Sequence, residues 1–170
     1  MAAQVPLRIL GIDPGSRHTG YGIIDVNIHQ KPVHVVHGTL KVASLHTRAE
    51  IPLQKRLKDI FEGLTALIDQ YEPDVMAIEQ VFFAKNAVSA LKLGQARGVA
   101  ILAGAVKNIE IVEYAATQIK SAVVGFGQAQ KDQVARMVSL QIGVEEFHTP
   151  DASDALAVAL ALPHPSPSPT

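Results

Sequence analysis

From Ala155 to Leu162 the chain reads Ala-Leu-Ala-Val-Ala-Leu-Ala-Leu, a run with no polar side chain on any face. A helix that is apolar all round has to be buried. The residues before it mark its start. Thr149 is placed to cap a helix, Pro150 suits the first helical position, and Asp151 and Asp154 then fall in the first turn. The chain must therefore supply layers that enclose this helix while leaving two acids at its mouth.

The remaining segments supply such layers. Leu7 to Ile12 is an apolar run that stops at the turn signal Asp13-Pro14-Gly15-Ser16. Thr19–Val26 and Val33–Val42 read as two further strands, and the three form an antiparallel meander. Thr47-Arg48-Ala49-Glu50 matches a capping box, with Pro52 early in the helix that follows. That helix carries the stripe Leu53, Leu57, Ile60, Leu64, Leu67 and Ile68, and Pro73 ends it. Val75–Phe82 is a fourth strand, Asn86–Val106 a helix rich in Gly and Ala that suits close packing, and Ile109–Tyr114 a fifth strand. Helices are expected over Thr117–Val124, Lys131–Ile142 and Thr149–Leu162. The pattern predicts an α/β fold, a five-stranded mixed sheet flanked by helices on both faces, with the first, fourth and fifth strands parallel. One domain spans 1–162. Residues 163–170, which alternate Pro with Ser and His, read as a disordered tail.

Composition removes several classes of function. The chain has 170 residues, 48% of them hydrophobic, enough for one sizeable core. No run approaches the ~18 apolar residues of a membrane span, and Met1–Arg8 lacks the layout of a secretory leader. The absence of cysteine rules out disulfides and thiolate-bound zinc; it fits a reducing compartment, and a cytoplasmic location is expected. The formal net charge of -1 is low for a DNA-binding domain. A nucleic-acid function thus requires segregated charge, with acids gathered at metal ions and basic groups around them.

Four acids fit that arrangement. Asp13 ends the first strand, where an aspartate capping its own turn is the plain alternative. Glu79 lies within Val75-Met76-Ala77-Ile78-Glu79-Gln80-Val81-Phe82. An ionised carboxylate in such a run is costly unless paired or bound to metal, although an exposed sheet edge would also accommodate it. Asp151 and Asp154, three apart, share one helix face, and acids also favour helix N-termini through the dipole. Together the four could form an all-oxygen site selecting Mg²⁺ or Mn²⁺. Two such ions ~3.5–4 Å apart perform in-line displacement at phosphate.

The same residues resemble a known family. Gly11-Ile12-Asp13-Pro14-Gly15-Ser16 with Thr19-Gly20-Tyr21-Gly22 is similar to the opening of the RuvC family of Holliday junction resolvases. The resemblance continues through Ala77–Phe82, Ala84-Lys85-Asn86, Leu91–Gly98, Thr117–Lys120, Lys131–Val134 and Asp151–Leu156. It implies an RNase H-like fold and a Mg²⁺-dependent endonuclease that nicks four-way DNA junctions symmetrically, leaving 5′-phosphates, in recombination and repair. It further implies a metal-binding tetrad of Asp13, Glu79, Asp151 and Asp154 holding two Mg²⁺ per subunit, with Mn²⁺ able to substitute. A homodimer and partnership with a branch-migration helicase complex follow on the same grounds. Lys120 and Lys131 match family positions near the scissile strand, and Phe82 matches an aromatic that stacks on an unpaired base. Lys85, Lys92 and Arg97 are candidates for the surrounding basic surface. His148 could approach the metals as a proton shuttle or stand as a surface histidine. Two other classes share parts of the pattern. Actin-like sugar kinases use glycine-containing turns after a first strand but need a second lobe; a silent junction-binding protein would not need four acids. A relative that cuts RNA is a third alternative.

Overall fold

A computed structural model describes residues 5–27, 31–41, 51–81 and 86–162. The elements are β1 Leu7–Asp13, β2 His18–Val26, β3 Val33–Lys41, α1 Leu53–Tyr71, β4 Val75–Glu79, α2 Ala87–Val106, β5 Glu110–Tyr114, α3 Ala116–Val124, α4 Lys131–Ile142 and α5 Pro150–Leu160. The strands form one sheet in the order β3-β2-β1-β4-β5. β1–β2 and β2–β3 are antiparallel, whereas β1–β4 and β4–β5 are parallel. The expected mixed sheet is present, with its three parallel strands as read.

Side-chain alternation divides the core into two layers. Leu10, Ile12, Ile23, Met76 and Ile78 pack with Ile60, Leu64 and Ile68 of α1 and with Ala96, Ala100 and Ala103 of α2. Ile9, Ile24, Val26, Val75 and Ala77 point the other way, onto α3, α4 and α5. Period-two alternation then places Gly11 and Asp13, and likewise Glu79, on the α5 face. α5 itself is enclosed as its composition requires: every residue from Ala155 to Ala159 is buried.

Glycines set how closely α5 approaches the sheet. A Cβ at Gly11 would lie 2.1 Å from the Ala155 carbonyl oxygen, and one at Gly20 would lie 2.1 Å from that of Asp151. At Gly22 it would strike the Leu156 side chain at 2.5 Å. The helix backbone therefore rests on bare strand backbone, and its first turn is fixed beside the end of β1.

Several boundaries differ from the sequence reading. β4 ends at Glu79 rather than Phe82, with one more backbone bond from Gln80 N to Tyr114 O at 2.8 Å. Glu79 thus closes its strand instead of lying within it. Pro52 is the residue ahead of α1, and Glu72, with φ 48°, closes that helix before Pro73. α5 stops at Leu160, two residues early. In α2, Ala96, Ala100, Ala103 and Gly104 face the core as expected, but a Cβ at Gly94 or Gly98 would meet nothing within 4 Å. Those two glycines belong to the outer face of the helix. The capping box at 47–50 and the tail at 163–170 lie outside the described residues. Among the described residues no helix is long and apolar enough to cross a membrane.

Gly11→Ala should destabilise the protein by at least ~1–3 kcal/mol, because its methyl meets helix backbone that cannot rotate away. Gly94→Ala, whose added methyl meets nothing within its own chain, should gain about 0.5–1 kcal/mol from helix propensity in the monomer. Urea unfolding midpoints of the two variants test the contrast, and equal shifts would contradict the close seating of α5.

Candidate active site

Asp13 and Glu79 are brought together by strand pairing. β1 and β4 run parallel with Ile12 opposite Ile78, and each strand's next residue is the acid. Both carboxylates stand at the carboxyl ends of parallel strands, the edge at which open α/β sheets bind their ligands. The start of α5 adds the other two acids. The Thr149 hydroxyl accepts a hydrogen bond from Ala152 N at 3.3 Å, and Pro150 occupies the first turn. This cap orients the helix so that Asp151 and Asp154 face the strand ends.

The turn after Asp13 is braced from two sides. The Thr19 hydroxyl, buried, donates to Gly15 O at 2.8 Å. Arg56 donates from Nη1 to Ser16 O at 3.1 Å and is only 3% exposed. A charged group so deep in the core is costly unless it is paired and hydrogen-bonded, and the Ser16 carbonyl supplies one such bond. Arg56 is the residue sequence reasoning missed. The signal was available, since Arg56 falls one helical turn before Ile60 on the buried stripe of α1.

The acids interact strongly through space. Asp13 has its pKa raised to about 8, first by burial and then by the charges of Asp154, Glu79 and Asp151; Lys131 acts in the opposite sense. Glu79 is also raised, by burial and then by Asp154, with Lys131 and Lys120 opposing. Lys131 donates to Asp154 at 2.8 Å. This ion pair draws the lysine pKa upward, and Asp13 and Glu79 add to the effect. With the Lys131 side chain 81% exposed, solvent screens the pair, so it stabilises the fold by at most ~1 kcal/mol.

Two clefts meet at Glu79. One, of about 180 Å³, is lined by Glu79, Lys120, Lys131, Asp154 and apolar residues of α3 and α5. The other, of about 550 Å³, is lined by Asp13, Glu79, Gln80, Leu93 and the Ala115–Thr117 segment. Lys120 and Lys131 thus stand beside Glu79 and Asp154. Lys92 is half-buried on α2 and lines neither cleft. Arg97 forms an ion pair with Glu113 and donates to the Glu79 carbonyl at 3.2 Å. Its charge thereby ties α2 to the ends of β4 and β5. His148 is exposed and lies against His37, with ring centroids 6.1 Å apart. Phe82 and Lys85 lie outside the described residues.

The donor set fits hard divalent cations: four carboxylates, no soft ligand, and two pKa values raised partly by mutual repulsion. Among the described residues no three acidic or histidine side chains already converge on a single point. Glu79 shares one cleft with Asp154 and the other with Asp13, Asp151 acts on Asp13 through its charge, and Asp154 is turned to Lys131.

Comparison with known proteins places this arrangement. Residues 9–162 match the family of the crossover junction endodeoxyribonuclease RuvC. The RuvC of Geobacter sulfurreducens is 53% identical over 152 residues, covering 89% of each chain. That of Shewanella piezotolerans is 53% identical over 150 residues, 88% of this chain and 83% of the relative. Among solved structures, Thermus thermophilus RuvC in complex with a Holliday junction substrate superposes with a TM-score of 0.82 at 29% identity, over 91% of this chain and 92% of that one. The yeast mitochondrial Holliday junction resolvase, at 13% identity and a TM-score of 0.65, shares the fold over 94% of this chain and 81% of its own.

The raised pKa of Asp13 has a consequence for stability. Its native value of about 8 exceeds the 3.8 of an unperturbed side chain, so protonation favours the fold. The contribution is complete below about pH 3.8 and is lost progressively as pH rises to about 8. In metal-free buffer at pH 8, Asp13→Asn should raise the melting midpoint by at least ~2–4 °C, the shift expected for 1 kcal/mol in a chain of this size. The gain should shrink as pH falls towards 4. A midpoint unchanged at pH 8 would show that Asp13 carries no such repulsion.

Proposed function

Since the chain belongs to the RuvC family of crossover junction endodeoxyribonucleases, we propose that Asp13, Glu79, Asp151 and Asp154 are its catalytic tetrad. It is a Holliday junction resolvase with the RNase H-like fold, a nuclease that cuts DNA at four-way junctions. Membership implies dependence on divalent metal. The carrying observation is the mutual charge coupling of acids from β1, β4 and α5 at one edge of the sheet.

In this reading the four carboxylates would hold two Mg²⁺ ions, and Mn²⁺ would be able to substitute. When bound, such ions lower the pKa of water to make a nucleophile and stabilise the departing 3′ oxygen. The chain's own residues do the rest. Asp13 and Glu79, fixed by strand pairing, set the floor of the site. Asp151 and Asp154 descend from the capped first turn of α5. Asp154 would help hold a cation, and Lys131, now paired with it, would offer its ammonium to a phosphate oxygen. Lys120 stands across the same cleft and supplies a second positive charge to the strand being cut. Cleavage leaves a 5′-phosphate.

Two strands of like polarity are cut, which calls for two such sites and hence a homodimer. The outer face of α2 is the proposed interface. Val88, Leu91, Leu102 and Val106 are all more than half exposed there, and Gly94 and Gly98 leave room for close approach. Phe82 stacking on an unpaired base, Lys85, Lys92 and Arg97 contributing to the DNA surface, and partnership with a branch-migration helicase remain parts of the same proposal.

The direct test is incubation with a synthetic four-way junction and with linear duplex, with and without Mg²⁺. Paired nicks at the crossover that require Mg²⁺ are expected; equal cutting of duplex contradicts the reading. Asp13→Asn, Glu79→Gln and Asp154→Asn should each abolish nicking and leave junction binding largely intact. A variant that still cuts at near the normal rate removes its residue from the tetrad. Lys120→Ala should lower the salt dependence of junction binding by about one phosphate contact, and an unchanged slope would take Lys120 off the DNA.

A further inference from the structure

A second group of ligating side chains stands on β3, apart from the acids. The register against β2 pairs Ile23 with Val36 and Ile24 with His34, which leaves Val35 as an extra residue. Such a bulge re-aims side chains. Val35 and Val36 both pack towards α1, so His34 and His37, three apart, share the opposite face. On a regular strand they would point to opposite faces of the sheet.

The two rings meet. His37 Nδ1 and His34 Nε2 are 2.8 Å apart, a hydrogen bond in which one nitrogen donates to the other. The other nitrogen of His37, Nε2, is hidden from solvent and has no hydrogen-bond partner. A buried polar atom without a partner calls for an explanation, and an ion is one. The ring of His148 is 6.1 Å from that of His37, tilted by 33°. Phe147 packs edge-on against His37, with centroids 5.6 Å apart. Two imidazoles on one tetrahedral ion, with metal–nitrogen bonds of ~2.0–2.1 Å, have centroids roughly 5 Å apart, so the ring of the exposed His148 would move in by about 1 Å to share an ion with His37.

We propose that His37 and His148 form a second cation site for a borderline divalent transition ion of the Ni²⁺–Zn²⁺ range, with His34 orienting the His37 ring. Imidazole nitrogens favour such ions over Mg²⁺. A ligating histidine whose other nitrogen is held by a neighbour is the usual arrangement in metal sites. Burial pushes the pKa of His34 and His37 downward, so both are neutral and able to ligate near pH 7. Among the described residues no three acids or histidines converge on one point. The described residues therefore supply two ligands, and water would complete the shell.

The location gives the ion something to do. His148 precedes Thr149, the cap of α5, and the Thr149 and Thr39 hydroxyls are 2.5 Å apart. An ion on His37 and His148 would fasten β3 to the start of the helix that carries Asp151 and Asp154.

The test is calorimetric titration of the full chain with Zn²⁺ in excess Mg²⁺, which occupies the carboxylates. One Zn²⁺ per chain and a raised melting midpoint are expected. Binding should vanish in His37→Gln and in His148→Ala, and weaken by about 10–100-fold in His34→Ala, the loss usual on removing the partner of a ligating histidine. It should persist in Glu79→Gln. With Cu²⁺ as probe, electron paramagnetic resonance should resolve coupling to two nitrogens. Zn²⁺ binding that survives both His37→Gln and His148→Ala, or that is lost in Glu79→Gln, overturns the proposal, as does a Cu²⁺ spectrum with fewer than two nitrogens. His148 is exposed, so its variant decides the matter if His37→Gln fails to fold.

Discussion

The contact of α5 with bare strand backbone governs the rest of the molecule. At Gly11, Gly20 and Gly22 the helix lies so close that a single methyl would collide with its backbone or with Leu156. That closeness encloses an apolar helix and places its first turn against the ends of β1 and β4. Asp151 and Asp154 belong to the site because of this approach. Were the helix held away by side chains, the two strand acids would lack their partners.

The approach concentrates negative charge, and the surroundings answer it. Asp13 is half-buried, with the charges of three other carboxylates acting on it, and is raised to about 8. Lys131 on Asp154 offsets part of the repulsion, and Lys120 acts on Glu79 from the same cleft. A chain of net charge -1 can thus serve DNA. Cations on the acids would turn a repulsive cluster into a neutral centre and leave both lysines facing the phosphates. In the proposed reading stability and function oppose each other: the carboxylates whose repulsion destabilises the metal-free fold are the ones assigned to the metal ions.

Much of this was legible in the order of residues, and the reasons are specific. The apolar run Ala155–Leu162 demanded burial, and Thr149-Pro150 marked its start, so the acids of the first turn could be placed at a core edge. That Asp13 and Glu79 stand side by side on one face was not read from the sequence; the parallel pairing of β1 and β4 shows it. Glu79 was read one step too deep, because hydrophobicity continues to Phe82 while the pairing does not. Arg56 was passed over because its neighbours Leu53, Leu57 and Ile60 made an apolar stripe without it; only the fold shows the Ser16 carbonyl it reaches. The histidine cluster was invisible, since a bulge at Val35 breaks the period on which strand reading depends. Gly94 and Gly98 read as packing residues by composition, but helical phase turns them outward.

The central claim is that side chains from β1, β4 and α5 close together around a pair of hard cations. A crystal soaked in Mn²⁺, with anomalous scattering recorded, tests this most directly. The account predicts two manganese peaks per chain, roughly 3.5–4 Å apart, both ligated by oxygens of Asp13, Glu79, Asp151 and Asp154. A single peak, or manganese bound away from these four carboxylates, would contradict it.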